Sequence, residues 1–435
     1  MNMYLSVRVK FLLALFGALS WALLSVLLAH KWFGDLVTHV GLALAIFFIG
    51  GIAILPGFMN AFLLFSLLLD KRPPRKPLAQ YPPLSILVAA YNEEASIADT
   101  ITSIAAQHYP GELQVIVIND GSTDRTADIV RELQPGLPWL TLLDLERNGG
   151  KARALNHGLQ HVRHELLLTV DADCYLYHEA LLSIVERYHA DPPHTRAVAG
   201  TVLVRNSRAS WIAQAQEWDY FHGIAAIKRT QSLFQGTLVA QGSFSLFDRT
   251  TVVELGGWSE CVGEDIVLTW AILKAGHRVG HCEDACVFTN APATLAQFFR
   301  QRRRWARGMI EAFKHHPGVL LKPQLPTFFI SWNLLFPLMD LAFTLGFIPG
   351  VIMALFGHFW IVGPMTLALI PLGLAINFFM FIVEVQMFNR RKLKVRKNPL
   401  GFAIYSIGYG VLLQPICLFG YLSELFNFRK SWGTK

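Results

Sequence analysis

Two uncharged apolar runs near the start of the chain, residues 11–29 and 40–69, constrain the fold more than any other feature. A helix of about 20 apolar residues crosses the hydrocarbon of a bilayer, and each run is long enough. Three further apolar runs lie towards the other end, at residues 328–356, 360–388 and 402–426. A soluble fold rarely carries so many near-continuous apolar stretches with a hydrophobic fraction of 53%. Arg8 and Lys10 precede the first run as in a signal peptide, yet no convincing small-residue cleavage site follows and a second apolar run does. The chain reads as a membrane protein with a polar block between two sets of spans.

Lysine and arginine favour the cytoplasmic ends of spans. Arg8 and Lys10 precede the first, Lys71, Arg72, Arg75 and Lys76 follow the second, and Arg390, Arg391, Lys392, Lys394, Arg396 and Lys397 follow the fourth. These clusters place the polar block in the cytoplasm, with its four cysteines as reduced thiols. They also account for the net charge of +7 through contact with anionic membrane lipids, so no nucleic-acid partner is needed. His277, His281, Cys282 and Cys286 lack the paired spacing of a zinc site. Five full spans would put the basic tail, residues 429–435, outside. Gly408, Gly410 and Pro415 interrupt the last run, which is therefore expected to be a broken or re-entrant segment returning the tail to the cytoplasm.

Residues 71–83 are rich in proline and basic residues and read as an extended linker. Beyond it, short apolar runs at 85–90, 114–118 and 166–170 each end in polar residues, with helical patterns at 95–107 and 124–133 between them. Strand and helix alternate as in a parallel α/β sheet, where ligands bind beyond the carboxyl ends of strands. The acidic groups sit at those ends. The expected division is residues 1–70 as two transmembrane helices, 71–83 as linker, 84–292 as the α/β domain and 293–327 as interfacial helices. Residues 328–428 form the second membrane region and 429–435 the tail.

Five motifs occur in order: Tyr91, Asn92, Glu93, Glu94; then Asn119, Asp120, Gly121, Ser122, Thr123, Asp124; then Asp171, Ala172, Asp173; then Glu264, Asp265; then Gln301, Arg302, Arg303, Arg304, Trp305. Each alone is weak, since a strand-end acid is often a solvated turn or a helix cap. Together, in this order, they resemble the membrane-embedded family 2 glycosyltransferases. The resemblance implies a GT-A-type nucleotide-sugar-binding domain, with a mixed, mainly parallel sheet, inserted between transmembrane α-helices.

The aspartate pair of Asp171 and Asp173 can hold a divalent cation, Mg²⁺ or Mn²⁺, against a diphosphate through hard oxygen ligands. Asp173 is the expected metal ligand and Asp171 a donor-sugar contact. The resemblance places Tyr91, Glu93 and Asp120 around the base of a UDP-sugar and Lys151, in the run Asn148, Gly149, Gly150, Lys151, near its phosphates. It makes Asp265 the general base of an inverting displacement, and Gln301, Arg304 and Trp305 the acceptor site. One departure stands out: Gly263 occupies the place where the family usually has threonine, before Glu264 and Asp265.

The run Ile227, Lys228, Arg229, Thr230, Gln231 resembles poly-β-1,6-N-acetylglucosamine synthases, whereas the tail's Trp432, Gly433 and Thr434 resemble a gating motif of hyaluronan-synthase-like members. The expectation is a processive polymerase that takes UDP-GlcNAc, extends a growing polysaccharide acceptor and exports it through its own spans, with room for a small membrane partner subunit. Hyaluronan, chitin or another polysaccharide as product stays open, as does a non-processive lipid glycosyltransferase. A transporter with a nucleotide-sugar sensor needs neither Asp265 nor the acceptor motif. Asp340 and Glu384, carboxyls in apolar segments, are candidates for lining the export path.

Overall fold

The computed structural model of the protein describes residues 5–72, 74–389 and 396–428. The tail with Trp432, Gly433 and Thr434, the basic residues at 390–394 and the side chain of Glu384 lie outside the described set. The chain divides into two compact units, one of Met1–Arg72 with Phe328–Phe428 and one containing Pro73–Thr327.

Eight strands build the second unit: β1 (Leu84–Ala90), β2 (Leu113–Asp120), β3 (Leu140–Leu145), β4 (Leu166–Asp171), β5 (Tyr175–Leu176), β6 (Thr195–Val204), β7 (Phe244–Asp248) and β8 (Arg278–Thr289). They form one mixed sheet in the order β3-β2-β1-β4-β7-β6-β8-β5. The three strands read from the sequence are β1, β2 and β4. They are apolar on both faces because both faces are covered. Ile86, Val88, Val115, Val117, Leu168 and Val170 pack with Ile97, Ile101, Ile104, Leu181 and Ile184 of two helices, Ile97–Ala105 and Ala180–Ala190. On the opposite face, helix Lys151–Leu159 comes down at Gly158, where a Cβ would stand 2.8 Å from Cδ1 of Ile118. Glycine there lets the helix lie close to the sheet.

Register decides where the polar residues emerge. Ala89 of β1 pairs with Ile118 of β2 and with Asp171 of β4, all parallel, so three strands stop at one level. Strand β7 runs antiparallel to β4, with Phe244 opposite Val170, and this brings the preceding residues Gln241, Gly242 and Ser243 to the same edge. Thr289 ends β8 opposite Val204 of β6.

In the first unit, four helices are long and apolar enough to cross a membrane: Val7–Val40, Leu42–Leu68, Leu325–Leu355 and Pro399–Leu425. Another helix, Pro364–Asn389, covers the fourth predicted run and has an apolar stretch over Pro371–Ile382. Gly41, at φ 82°, makes the turn between the first two. The ring of Phe62 meets Phe11 and Phe328 at 5.5 and 5.0 Å. Asp340 accepts a hydrogen bond from the Tyr421 hydroxyl at 3.0 Å, which ties two of these helices together.

The last apolar run contains a π-helical turn, Ile404–Gly408, after which the helix continues through Pro415 to Leu425. A π turn absorbs such irregularity without exposing backbone polar groups along the whole run. The linker is anchored to the sheet-containing unit. Arg75 donates to Glu186 at 2.6 Å and to Asp284 at 2.9 Å, and the Tyr81 hydroxyl donates to the other oxygen of Glu186 at 2.7 Å. The Arg75 and Glu186 side chains are only 5% and 7% exposed, so removing the guanidinium strands a buried carboxylate. Arg75→Met is expected to cost about 3 kcal/mol, read as a lower midpoint of thermal unfolding, with no comparable loss for the exposed neighbour in Lys76→Met.

Candidate active site

The loops leaving β1 and β2 are laced to each other. Asn92 takes φ 54°, a conformation asparagine tolerates, and its side-chain oxygen accepts the Thr123 N–H at 2.8 Å. Its own N–H donates to Ser122 Oγ at 2.9 Å, and the Glu93 N–H donates to Thr126 Oγ1 at 2.8 Å. Gly121 sits at φ 68°, where a Cβ would stand 2.5 Å from the Asn148 nitrogen, so both conformation and space require glycine. Tyr91, at the β1 exit, keeps an open aromatic face and is 37% exposed.

Asp120 has a specific structural task. It is 2% exposed, and its two oxygens accept the N–H groups of Gly149 at 2.9 Å and Gly150 at 2.7 Å. This fixes the loop that precedes Lys151, the first residue of its helix. The Lys151 ammonium then donates to Asp171 Oδ1 and lies 3.7 Å from Glu264 Oε1. Burial alone would lower its pKa, but the Asp171 and Glu264 carboxylates outweigh that and hold the ammonium above the ordinary lysine value. Gly242 leaves room for it, since a Cβ there would stand 2.5 Å from Nζ.

Three of the acids crowd one another. Burial, then the charges of Asp171 and Glu93, push the Asp173 carboxyl up to about 6, against a hydrogen bond from Thr289 Oγ1 at 3.2 Å. Glu264 is pushed up to about 7, first by burial, with Lys151 opposing and Asp265 adding to the rise. Asp265 has different surroundings: Oδ2 accepts the Gly242 N–H at 3.3 Å and Oδ1 the Ile266 N–H at 2.8 Å.

The last motif lies on helix Leu295–His315, which opens with a capping box between Thr294 and Gln297. Arg302, buried, pairs with Asp219 at 2.7 Å and lies 4.2 Å from the centre of the Trp305 ring. Trp305 remains 39% exposed. Gln301 donates to the Tyr220 hydroxyl at 3.5 Å while its Oε1 and the Arg304 Nε have no hydrogen-bond partner among the described residues. Arg304 is close enough for its charge to lower the Glu264 pKa.

Sequence reasoning gave several groups at this edge no role in the site. Lys228, 8% exposed, donates to Gln241 Oε1, and burial pushes it down to about 7 against the pull of Asp265. Gln241 in turn donates to the Gly200 carbonyl at 2.7 Å. Nothing in the local pattern marks Lys228 as buried. Gln241, Gly242 and Ser243 do carry a signal, a short polar break directly before the apolar run of β7.

The profile of the family described as "Glycosyltransferase like family 2" matches residues 82–308, just over half of the chain. Poly-beta-1,6-N-acetyl-D-glucosamine synthases of Staphylococcus aureus and Staphylococcus epidermidis are each 33% identical to it over 226 residues, 52% of this chain and 54% of theirs. The chain thus spans about half the length of the curated relatives it matches. Among solved structures, the mannosyltransferase PcManGT of Pyrobaculum calidifontis, in complex with GDP-Man and Mn²⁺, superposes with a TM-score of 0.61. That alignment has 19% identity and covers 92% of this chain and 100% of that one, so the fold is of the GT-A type. With the family profile resting on the same strand ends that gather the acids, the chain belongs to glycosyltransferase family 2.

Proposed function

We propose that this chain is a processive, inverting β-glycosyltransferase that polymerises N-acetylglucosamine from UDP-GlcNAc and passes the polymer out through its own membrane spans. The observation that carries the reading is one cluster: Lys151 between Asp171 and Glu264, with Asp265 next in sequence on the Gly242 N–H. The choice of sugar and of a β-1,6 linkage rests on the staphylococcal relatives. The basic residues around Lys71 and Arg72 support a catalytic unit on the cytoplasmic side of the inner membrane.

In this reading Tyr91 stacks on the uracil and Glu93 accepts its N–H. Asp120 acts behind them, holding the loop of Gly149 and Gly150 so that Lys151 faces the diphosphate. Asp173 fits a divalent cation, being a half-buried hard-oxygen donor among like charges. A bound Mg²⁺ or Mn²⁺ supplies neutralisation of the leaving diphosphate. Asp265 takes the proton of the acceptor hydroxyl as that oxygen bonds to the anomeric carbon and the bond to the diphosphate breaks. UDP leaves, and an α-linked donor becomes a β-glycoside. Arg304 and Trp305 hold the acceptor sugar, the ring of Trp305 serving as a flat apolar surface.

The full chain in lipid, given radiolabelled UDP-GlcNAc with Mg²⁺ or Mn²⁺, should release UDP and yield long product cut by a β-1,6-GlcNAc hydrolase. A single sugar on lipid would make it a lipid glycosyltransferase instead. Asp265→Asn is expected to lower turnover by at least about a hundredfold while UDP affinity stays at the wild-type value in a binding titration. Glu264 gives a pH signature. Its carboxyl rises from 4.5 to about 7 on folding, so the folded chain keeps a proton that the unfolded chain releases. The stability this gives is full below pH 4.5 and is lost as pH rises through about 7. Glu264→Gln should therefore flatten the fall of the unfolding midpoint across that window.

A further inference from the structure

We propose that Gly263, Gly308 and Glu311 are positioning residues that set the reach between the base Asp265 and the helix presenting Arg304 and Trp305. The proposal rests on the glycosyl-transfer reading above. Gly263 has φ −105°, a conformation open to any residue, so its backbone does not demand glycine. Space does. A Cβ on Gly263 would stand 2.5 Å from the Gly308 Cα, and a Cβ on Gly308 would stand 2.8 Å from the Gly263 Cα. Both neighbours are backbone atoms, which cannot rotate aside.

Two polypeptide segments therefore touch main chain to main chain at this point. The contact is locked by a hydrogen bond, since Glu311, 2% exposed, accepts the Gly263 N–H at 2.8 Å. Gln301, Arg304, Gly308 and Glu311 recur at intervals of three and four residues, which places them on one stripe of helix Leu295–His315. Gly308 is one turn beyond Arg304 on that stripe, and Gly263 is two residues before Asp265. The glycine contact thus links the two halves of the site directly, main chain to main chain.

The same helices are also joined further from the site. The Trp270 and Phe313 rings meet edge to face at 4.8 Å, and His316 Nε2 lies 3.0 Å from the Val267 carbonyl. A side chain wedged between Gly263 and Gly308 would therefore leave the helices packed but tilt them apart at the active-site end. The threonine that the family resemblance leads one to expect at position 263 has no room here. In this chain, glycine at 263 and glycine at 308 belong together.

The test uses the full chain in lipid with UDP-GlcNAc and records UDP release and sugar incorporation separately. Gly263→Thr and the milder Gly308→Ala are expected to lower kcat for transfer by about a hundredfold. KM for UDP-GlcNAc should stay near the wild-type value, and a larger share of the donor should be lost to water. Glu311→Gln, which keeps an oxygen to accept the Gly263 N–H, should restore the wild-type partition that Glu311→Ala loses. Wild-type kcat and partition in Gly263→Thr would overturn the proposal. So would a defect confined to donor KM and the unfolding midpoint. A wild-type chain that transfers no sugar from UDP-GlcNAc would overturn the reading beneath it instead.

Discussion

The buried ammonium of Lys151 is the interaction on which the rest of the site depends. A charge taken out of water is tolerated only with partners close by, and Lys151 has two, Asp171 at the end of β4 and Glu264 at the start of helix Glu264–Lys274. It also needs a backbone that delivers it there. Asp120 at the end of β2 supplies this by binding the N–H groups of Gly149 and Gly150, and Gly242 supplies the room. Four separate segments of the chain are thus fixed around one cation, and none of them is adjacent in sequence to another.

This arrangement separates two roles that a linear motif cannot tell apart. Asp120 and Asp171 look alike in the sequence, each an acid at the end of an apolar run. In the fold, Asp120 is saturated by backbone donors and shapes a loop, whereas Asp171 balances a charge beside the Asp173 carboxyl. The difference comes from register. β2 extends one residue further than β1 pairs, so Asp120 lies opposite Leu145 of β3, next to the loop of Gly149 and Gly150.

Much of this was legible from residue order, for physical reasons. Strands β1, β2 and β4 are apolar runs cut off by acids, and both features follow from burial on two faces and exposure at the tip. The apolar helices declared themselves by length alone. What stayed hidden depends on long-range contact. The burial of Lys228, the anchoring of Arg75 by Glu186 and Asp284, and the closeness of Gly263 to Gly308 are set by how distant segments meet. In the last apolar run, Gly408 marks the end of a π turn, and the helix runs on through Pro415.

Glu264 and Asp265 show how neighbouring carboxyls acquire different chemistry. They are adjacent on the first turn of one helix, so they point in directions about 100° apart. Glu264 turns inward, where burial pushes its carboxyl up to about 7 against the pull of Lys151 and Arg304. Asp265 meets two backbone N–H groups, those of Gly242 and Ile266. The Asp265 charge beside Glu264 adds to that rise, as a neighbouring like charge does. Within this two-residue motif, one carboxyl thus meets a buried cation and the other meets peptide donors.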